Sequence, residues 1–146
     1  MKEINQNILE IKKGIIVHQV NCLKQMGAGL AKDIKTKFPK VYYEYSSVDW
    51  YLGDIQVVRV SEDWSLFVCN LAGQHSFGRA RHRYTDYNAV RRGFKKLAEW
   101  KIMFSPKMEV YVPYKMGCSL GNGNWNIYSK IIEEECPEAI ICKWGR

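Results

Sequence analysis

No apolar run in the sequence approaches the roughly 18 residues that a membrane-spanning helix needs, so a helical membrane span is excluded. The opening residues Met1-Lys2-Glu3-Ile4-Asn5-Gln6 are too polar for a secretory signal and predict a cytoplasmic protein with no membrane partner. No two cysteines are spaced C-x-x-C. The five present (Cys22, Cys69, Cys118, Cys136, Cys142) are odd in number and far apart, which argues against a disulfide framework and a zinc ribbon. His18, His75 and His82 fall at no metal-ligand spacing with them, so neither a metal nor a resident cofactor is expected. Internal repeats, low-complexity tracts and linkers are missing. Acidic residues are few, 15 against 22 Lys+Arg, for a net charge of +7. That balance suits an anionic partner: nucleic acid, a membrane surface or a phosphate-bearing small molecule. Solvated lysines that serve only solubility are the plainer alternative.

What is present describes a packed domain. At 146 residues, 47% hydrophobic and 13% aromatic, the chain fits a single domain over residues 1–146 with a sizeable core, read as a monomer. Residues 4–11 read as a ragged strand. Gly14-Ile15-Ile16-Val17-His18-Gln19-Val20 is a β-branched apolar run, the pattern of a strand buried on both faces. Leu30, Ile34 and Phe38 recur at helical spacing until Pro39, and residues 41–48 suggest a second short helix. Residues 55–60 and 65–70 read as strands, with a long polar stretch over 71–84. Thr85 is a candidate N-cap, with Asp86 in the first turn, for a helix whose stripe is Tyr87, Val90, Phe94 and Leu97. Residues 108–112 form a strand. Asn124 or Asn126 caps a helix to Glu135, and residues 139–143 form the last strand.

Strands separated by helices predict a three-layer α/β/α domain with a mixed, largely parallel sheet. In such sheets ligands bind at the carboxyl ends of the strands. Both glycine-rich segments, residues 21–29 and 116–124, follow strands there. Loops with little side-chain bulk let backbone N–H groups approach a phosphate, and a helix N-terminus adds partial positive charge. Two such loops can cradle a pyrophosphate.

The run Val17-His18-Gln19-Val20-Asn21-Cys22, then Met26-Gly27-Ala28-Gly29-Leu30-Ala31, resembles the first ligand loop of the macrodomain family. Tyr111-Val112-Pro113-Tyr114-Lys115-Met116-Gly117-Cys118-Ser119-Leu120-Gly121-Asn122-Gly123-Asn124-Trp125 resembles its second. The form is closest to the branch processing ADP-ribose 1''-phosphate and resembling the terminal ADP-ribose glycohydrolase. The resemblance spans the whole chain and implies an ADP-ribose site. Asn7 then takes the place of the aspartate that meets the adenine amino group, offering a carbonyl acceptor without the charge. Ile8 supplies the adjacent backbone contact. Asn21 faces the distal ribose. Gly27, Ala28, Gly29 and Leu30 pass beside the diphosphate, and Gly117, Cys118, Ser119, Leu120, Gly121, Asn122 and Gly123 close over it. The resemblance does not say which aromatic stacks on adenine. It also has departures. Leu71-Ala72-Gly73-Gln74 lacks the glycohydrolase-like lysine after the central strand, and Gly121 replaces that subclass's aspartate. Another hydrolase branch carries an asparagine and an aspartate near the places of Lys24 and Ala31.

Three residues are left as candidate catalysts: His18, Asn21 and His75. Hydrolysis at the distal ribose needs a positioned water and a group to move its proton, and a histidine suits that near neutral pH. For His18 the competing reading is a buried, hydrogen-bonded core residue. For His75 it is an exposed loop residue, and for Asn21 a local loop cap. Cys118 as a nucleophile is set against a small apolar filler. The leading expectation is a hydrolase of ADP-ribose 1''-phosphate or of an ADP-ribosyl conjugate. The alternative is a binder of ADP-ribose or a related nucleotide without turnover. A third reading, nucleic-acid binding, rests on Arg79, Arg81, Arg83, Arg91, Arg92, Lys95 and Lys96 interleaved with Phe77, Tyr84 and Tyr87.

Overall fold

The computed structural model describes residues 1–145. Six strands form one sheet: β1 (Lys2–Asn5), β2 (Gly14–Asn21), β3 (Ile55–Arg59), β4 (Leu66–Gln74), β5 (Val110–Pro113) and β6 (Ile140–Lys143). Their spatial order is β1-β6-β5-β2-β4-β3. Every pairing is parallel except that of the edge strand β3 with β4. The helices are α1 (Gly29–Lys37), α2 (Pro39–Ser46), α3 (Tyr87–Phe104) and α4 (Trp125–Glu135). This is the mixed, largely parallel α/β domain that the alternation of patterns predicts.

Period-two alternation along β2 splits the core in two. Ile15 and Val17 pack with Val90, Phe94 and Leu97 of α3 and with Tyr128, Ile131 and Ile132 of α4. Ile16 and Val20 point the other way, to Ile34 of α1 and to Val41 and Tyr45 of α2. Helices therefore cover both faces, and the central strands are buried on both.

Three local readings are corrected. Residues 4–11 are not one strand. β1 stops at Asn5, and a 3-10 turn over Ile8–Glu10 follows, capped by the Asn7 side chain, which accepts from the Leu9 N–H at 3.0 Å. β4 runs on through Leu71, Ala72 and Gly73 to Gln74, taking the first residues of the supposed polar stretch, because β2 on one side and β3 on the other pair with it. The cap of α3 is Asp86, which accepts from the Ala89 N–H at 3.0 Å. Thr85 is turned inward, only 1% exposed. Of the two candidates for α4, Asn124 is the cap.

Candidate functional site

The carboxyl ends of β2, β4 and β5 open into a cavity of about 640 Å³. Its floor is the end of β2, from His18 to Asn21. One wall is the first glycine-rich loop and the start of α1, residues 27–31. The opposite wall is residues 113–117 and 119–121, and Gln74 with residues 77–79 closes the side. Ala28 caps α1 without any side-chain bond. The first N–H groups of that helix thus remain available to an anion, with the positive end of the helix dipole behind them. Among the described residues, Arg79 and Lys115 are the charged residues in the lining, and none supplies a carboxylate. The site is built for negative charge.

Both loops hold backbone in the left-handed region. Lys24, Lys115 and Asn122 have φ of 62°, 61° and 56°, a conformation that non-glycine residues adopt only when surrounding contacts enforce it. The enforcing contacts lie beneath the second loop. Gln19 Nε2 donates to Gln74 Oε1 at 2.8 Å and to Thr85 Oγ1 at 2.9 Å. Tyr128 donates its hydroxyl to Gln19 Oε1 at 2.8 Å. Thr85 then donates to the Gly117 carbonyl at 2.7 Å, and the Gly121 carbonyl accepts from the Tyr84 and Thr85 N–H groups. Glycine is required where this framework touches the loop. A Cβ on Gly117, whose φ is +72°, lies 2.6 Å from the Tyr128 ring and 2.7 Å from Gln19 Oε1.

The structure gathers the predicted residues unevenly. Asn21, Gly27, Ala28, Gly29, Leu30, Gly117, Ser119, Leu120 and Gly121 all line the cavity, as does His18. Cys118, Asn122 and Gly123 belong to the second loop but not to the lining. Asn122 donates to the carbonyls of Ala80 and His82 and so ties the arginine-rich segment to the loop. Burial pushes the Cys118 thiol up to about 11, which leaves little thiolate for nucleophilic chemistry near neutral pH. Asn7 and Ile8 stand outside the lining; Ile8 is buried, and Asn7 serves its turn.

Among the candidate catalysts, Asn21 is committed to its own loop. Its Oδ1 accepts from the N–H groups of Leu23 and Gln25 and from the Tyr45 hydroxyl, and its Nδ2 donates to the Gln25 carbonyl. His75 is exposed and outside the lining; its carbonyl holds the Cys22 N–H at 3.0 Å. His18 is 2% exposed and bonded to Asn70 Oδ1 at 2.5 Å. Burial lowers its pKa from 6.5 to about 4, against a smaller opposing effect of the Asn70 bond. It is therefore a neutral imidazole near neutral pH.

Sequence reasoning gave no part in the site to Gln19, Gln74, Asn70 or Tyr128, and read Thr85 only as a helix cap. Gln19 carried a signal, being polar inside a run otherwise destined for the core. The others needed the strand register. The basic segment also divides. Arg91 pairs with Glu134 and Glu135, Arg92 donates to the Leu52 carbonyl, and Lys96 faces Asp54. Arg79, Arg81 and Arg83 are exposed, and Arg79 reaches the cavity rim.

No family model matches the chain. An uncharacterized 17.5 kDa protein from the tk-vs intergenic region of Enterobacteria phage T4 is 27% identical over 138 residues, 88% of this chain and 85% of its own. A protein of unknown function from Bacteroides thetaiotaomicron superposes with a TM-score of 0.85 at 26% identity, over 97% of this chain and 96% of its own. The macrodomain of Mycobacterium tuberculosis DarG gives 0.80 at 17% identity, over 99% and 97%. Thermosipho africanus DarTG, solved in complex with ADP-ribose, gives 0.80 at 16% identity, over 98% of this chain and 41% of its own. The chain has the macrodomain fold.

Proposed function

We propose that the protein binds ADP-ribose or an ADP-ribose derivative, with the diphosphate held between residues 27–31 and 117–121. One observation carries this reading. A cavity of about 640 Å³ lies between two glycine-rich loops, beside a helix start with no side-chain cap, and its lining has two cations and no carboxylate. Backbone N–H groups supply most of the recognition, and Arg79 and Lys115 add the charge. The solved complex of DarTG with ADP-ribose, on a superposable fold, supports the choice of ligand. Titration calorimetry tests it. A dissociation constant in the micromolar class is expected with ADP-ribose, and no heat and no competition at millimolar ligand overturns the reading.

Hydrolysis at the distal ribose is the second reading, acting on ADP-ribose 1''-phosphate or an ADP-ribosyl conjugate. His18 favours it, as a neutral imidazole at the cavity floor. With a pKa near 4 the ring is a weak proton acceptor, suited to orienting a water or hydroxyl. Asn21 enters this reading by holding the first loop, and His75 only from outside the lining. Product detection separates the readings. Release of phosphate from ADP-ribose 1''-phosphate, or of ADP-ribose from modified protein, establishes an enzyme. Turnover that survives His18→Ala and Asn21→Ala removes these residues from the mechanism.

A further inference from the structure

Helix α3 inverts its own pattern at its last turn. Val90, Phe94 and Leu97 face the core, and the next position of that stripe is Lys101, which is buried. Its ammonium donates to the Pro106 carbonyl at 2.7 Å and to Glu138 at 2.9 Å. With the charge drawn inside, Ile102, Met103 and Phe104 are left outside, 75%, 76% and 64% exposed. The face does not end with the helix. The ring centre of Phe104 lies 5.4 Å from that of Trp100, Trp100 lies 5.7 Å from Phe67 of β4, and Phe67 lies 6.4 Å from Trp64. Trp64, in the turn between β3 and β4, is itself 64% exposed. Together Trp64, Ile102, Met103 and Phe104 present on the order of 500 Å² to solvent, near the upper end of what a monomer leaves in one apolar patch. That is enough for the apolar centre of one side of a standard interface, about 800 Å² per partner. The face is also remote from the cavity. Helix α3 starts beside the carboxyl end of β4, where the Asp86 N–H meets the Gly73 carbonyl. Its 18 residues return the chain about 27 Å to the amino ends of the strands.

We propose that this face, from Trp64 to Phe104, is the two-fold contact of a homodimer, against the monomer expected from the sequence. A two-fold axis sets the face of one copy against the same face of the other in reverse, so the Trp64 end of each meets the Phe104 end of its partner. The charges at the two ends suit that reversal. Glu62 and Asp63 stand exposed beside Trp64, and Lys107 stands exposed just past Phe104. Arg59 does not cancel the acidic end. Its guanidinium lies over the Trp64 ring, 4.2 Å from the ring centre, and donates to the Glu62 carbonyl. The acidic turn of each copy therefore faces the lysine of the other, and a foreign partner of one charge sign matches one end only. The two cavities open at opposite poles of the dimer. The proposal does not depend on what those cavities bind.

Sedimentation equilibrium of the full chain and its variants tests the proposal. The parent should be dimeric at about 100 μM. Met103→Glu changes an exposed side chain, so it should leave the denaturant melt in place while weakening the dimer at least about tenfold, the contact being lost twice. Trp64 has a φ of 63°, which asparagine tolerates, so Trp64→Asn should weaken the dimer as well. Lys107→Glu should weaken it by setting like charges at both ends, and adding Glu62→Lys to the same chain should restore it. A parent that is monomeric at about 100 μM overturns the proposal. So does a dimer that Met103→Glu and Trp64→Asn both leave intact. A doubly substituted chain that dimerises no better than Lys107→Glu alone overturns the two-fold arrangement. A monomer that sediments with phosphatidylglycerol vesicles, and loses them on Met103→Glu, gives the face to a lipid surface and overturns the proposal too.

Discussion

At the scale of the residue, the second loop is shaped by what its glycines leave out. Gly117 combines a φ of +72° with Tyr128 and Gln19 packed against the place a Cβ would take. Gly121 is equally confined, with Thr85 Oγ1 2.4 Å from its Cβ position. Gly27 differs, since nothing lies within 4 Å of its Cβ position, so its small size serves the open space of the cavity. Gly117→Ala should destabilise the protein by about 2–3 kcal/mol, from backbone strain and overpacking together, and should weaken ADP-ribose binding. Gly27→Ala should leave stability within about 0.5 kcal/mol. Denaturant melts of both variants check this, and equal midpoints would mean that the loop is not held as tightly as its contacts imply. The glycine pattern was legible as a sequence of small residues. Which glycine answers to packing and which to the cavity was not, because that depends on Tyr128, 11 residues further along, and on Gln19, 98 residues earlier.

At the scale of the element, the run from Val17 to Asn21 and the two loops were readable because β-branched runs and glycines act locally. Strand β4 was cut short in the reading because its last residues, Gly73 and Gln74, carry no strand signal of their own. Their place is set by pairing with β2, where the register shifts between Val20 and Asn21. Thr85 was misread for a related reason. Threonine before an aspartate looks like a cap, yet Asp86 caps α3 and frees Thr85 to tie β2 to the second loop through Gln19 and Gly117. Thr85→Val keeps the shape and removes the hydroxyl. It strands one donor of Gln19 and leaves the Gly117 carbonyl only the Gly123 N–H, and should cost about 1–3 kcal/mol. ADP-ribose affinity should fall with it, since the loop loses its anchor. Calorimetry and a denaturant melt of this one variant check both, and a variant as stable and as tight-binding as the parent would show the Thr85 bridge to be idle.

At the scale of the whole molecule, the excess of positive charge is spread more widely than the sequence suggested. Along α3 it is engaged by Glu134, Glu135 and Asp54, while Arg79, Arg81 and Arg83 leave it exposed, Arg79 at the rim of the cavity. The acid limb of stability has a more specific source. His18 holds a pKa of about 4 in the fold against an ordinary 6.5, so between those values the unfolded chain binds a proton that the folded protein refuses. Stability should be level in this respect above pH 6.5, fall as pH drops toward 4, and level again below. The total loss is about 3 kcal/mol by linkage, at roughly 1.4 kcal/mol per pH unit. Carboxylates titrate in the lower part of the same window, so the parent alone does not isolate the effect. His18→Phe does, because it retains every carboxylate. Its unpaired Asn70 oxygen lowers stability at all pH values alike, so the gap between parent and variant should narrow steadily from pH 6.5 to 4. A gap that stays constant across that range would mean that His18 is protonated in the folded protein.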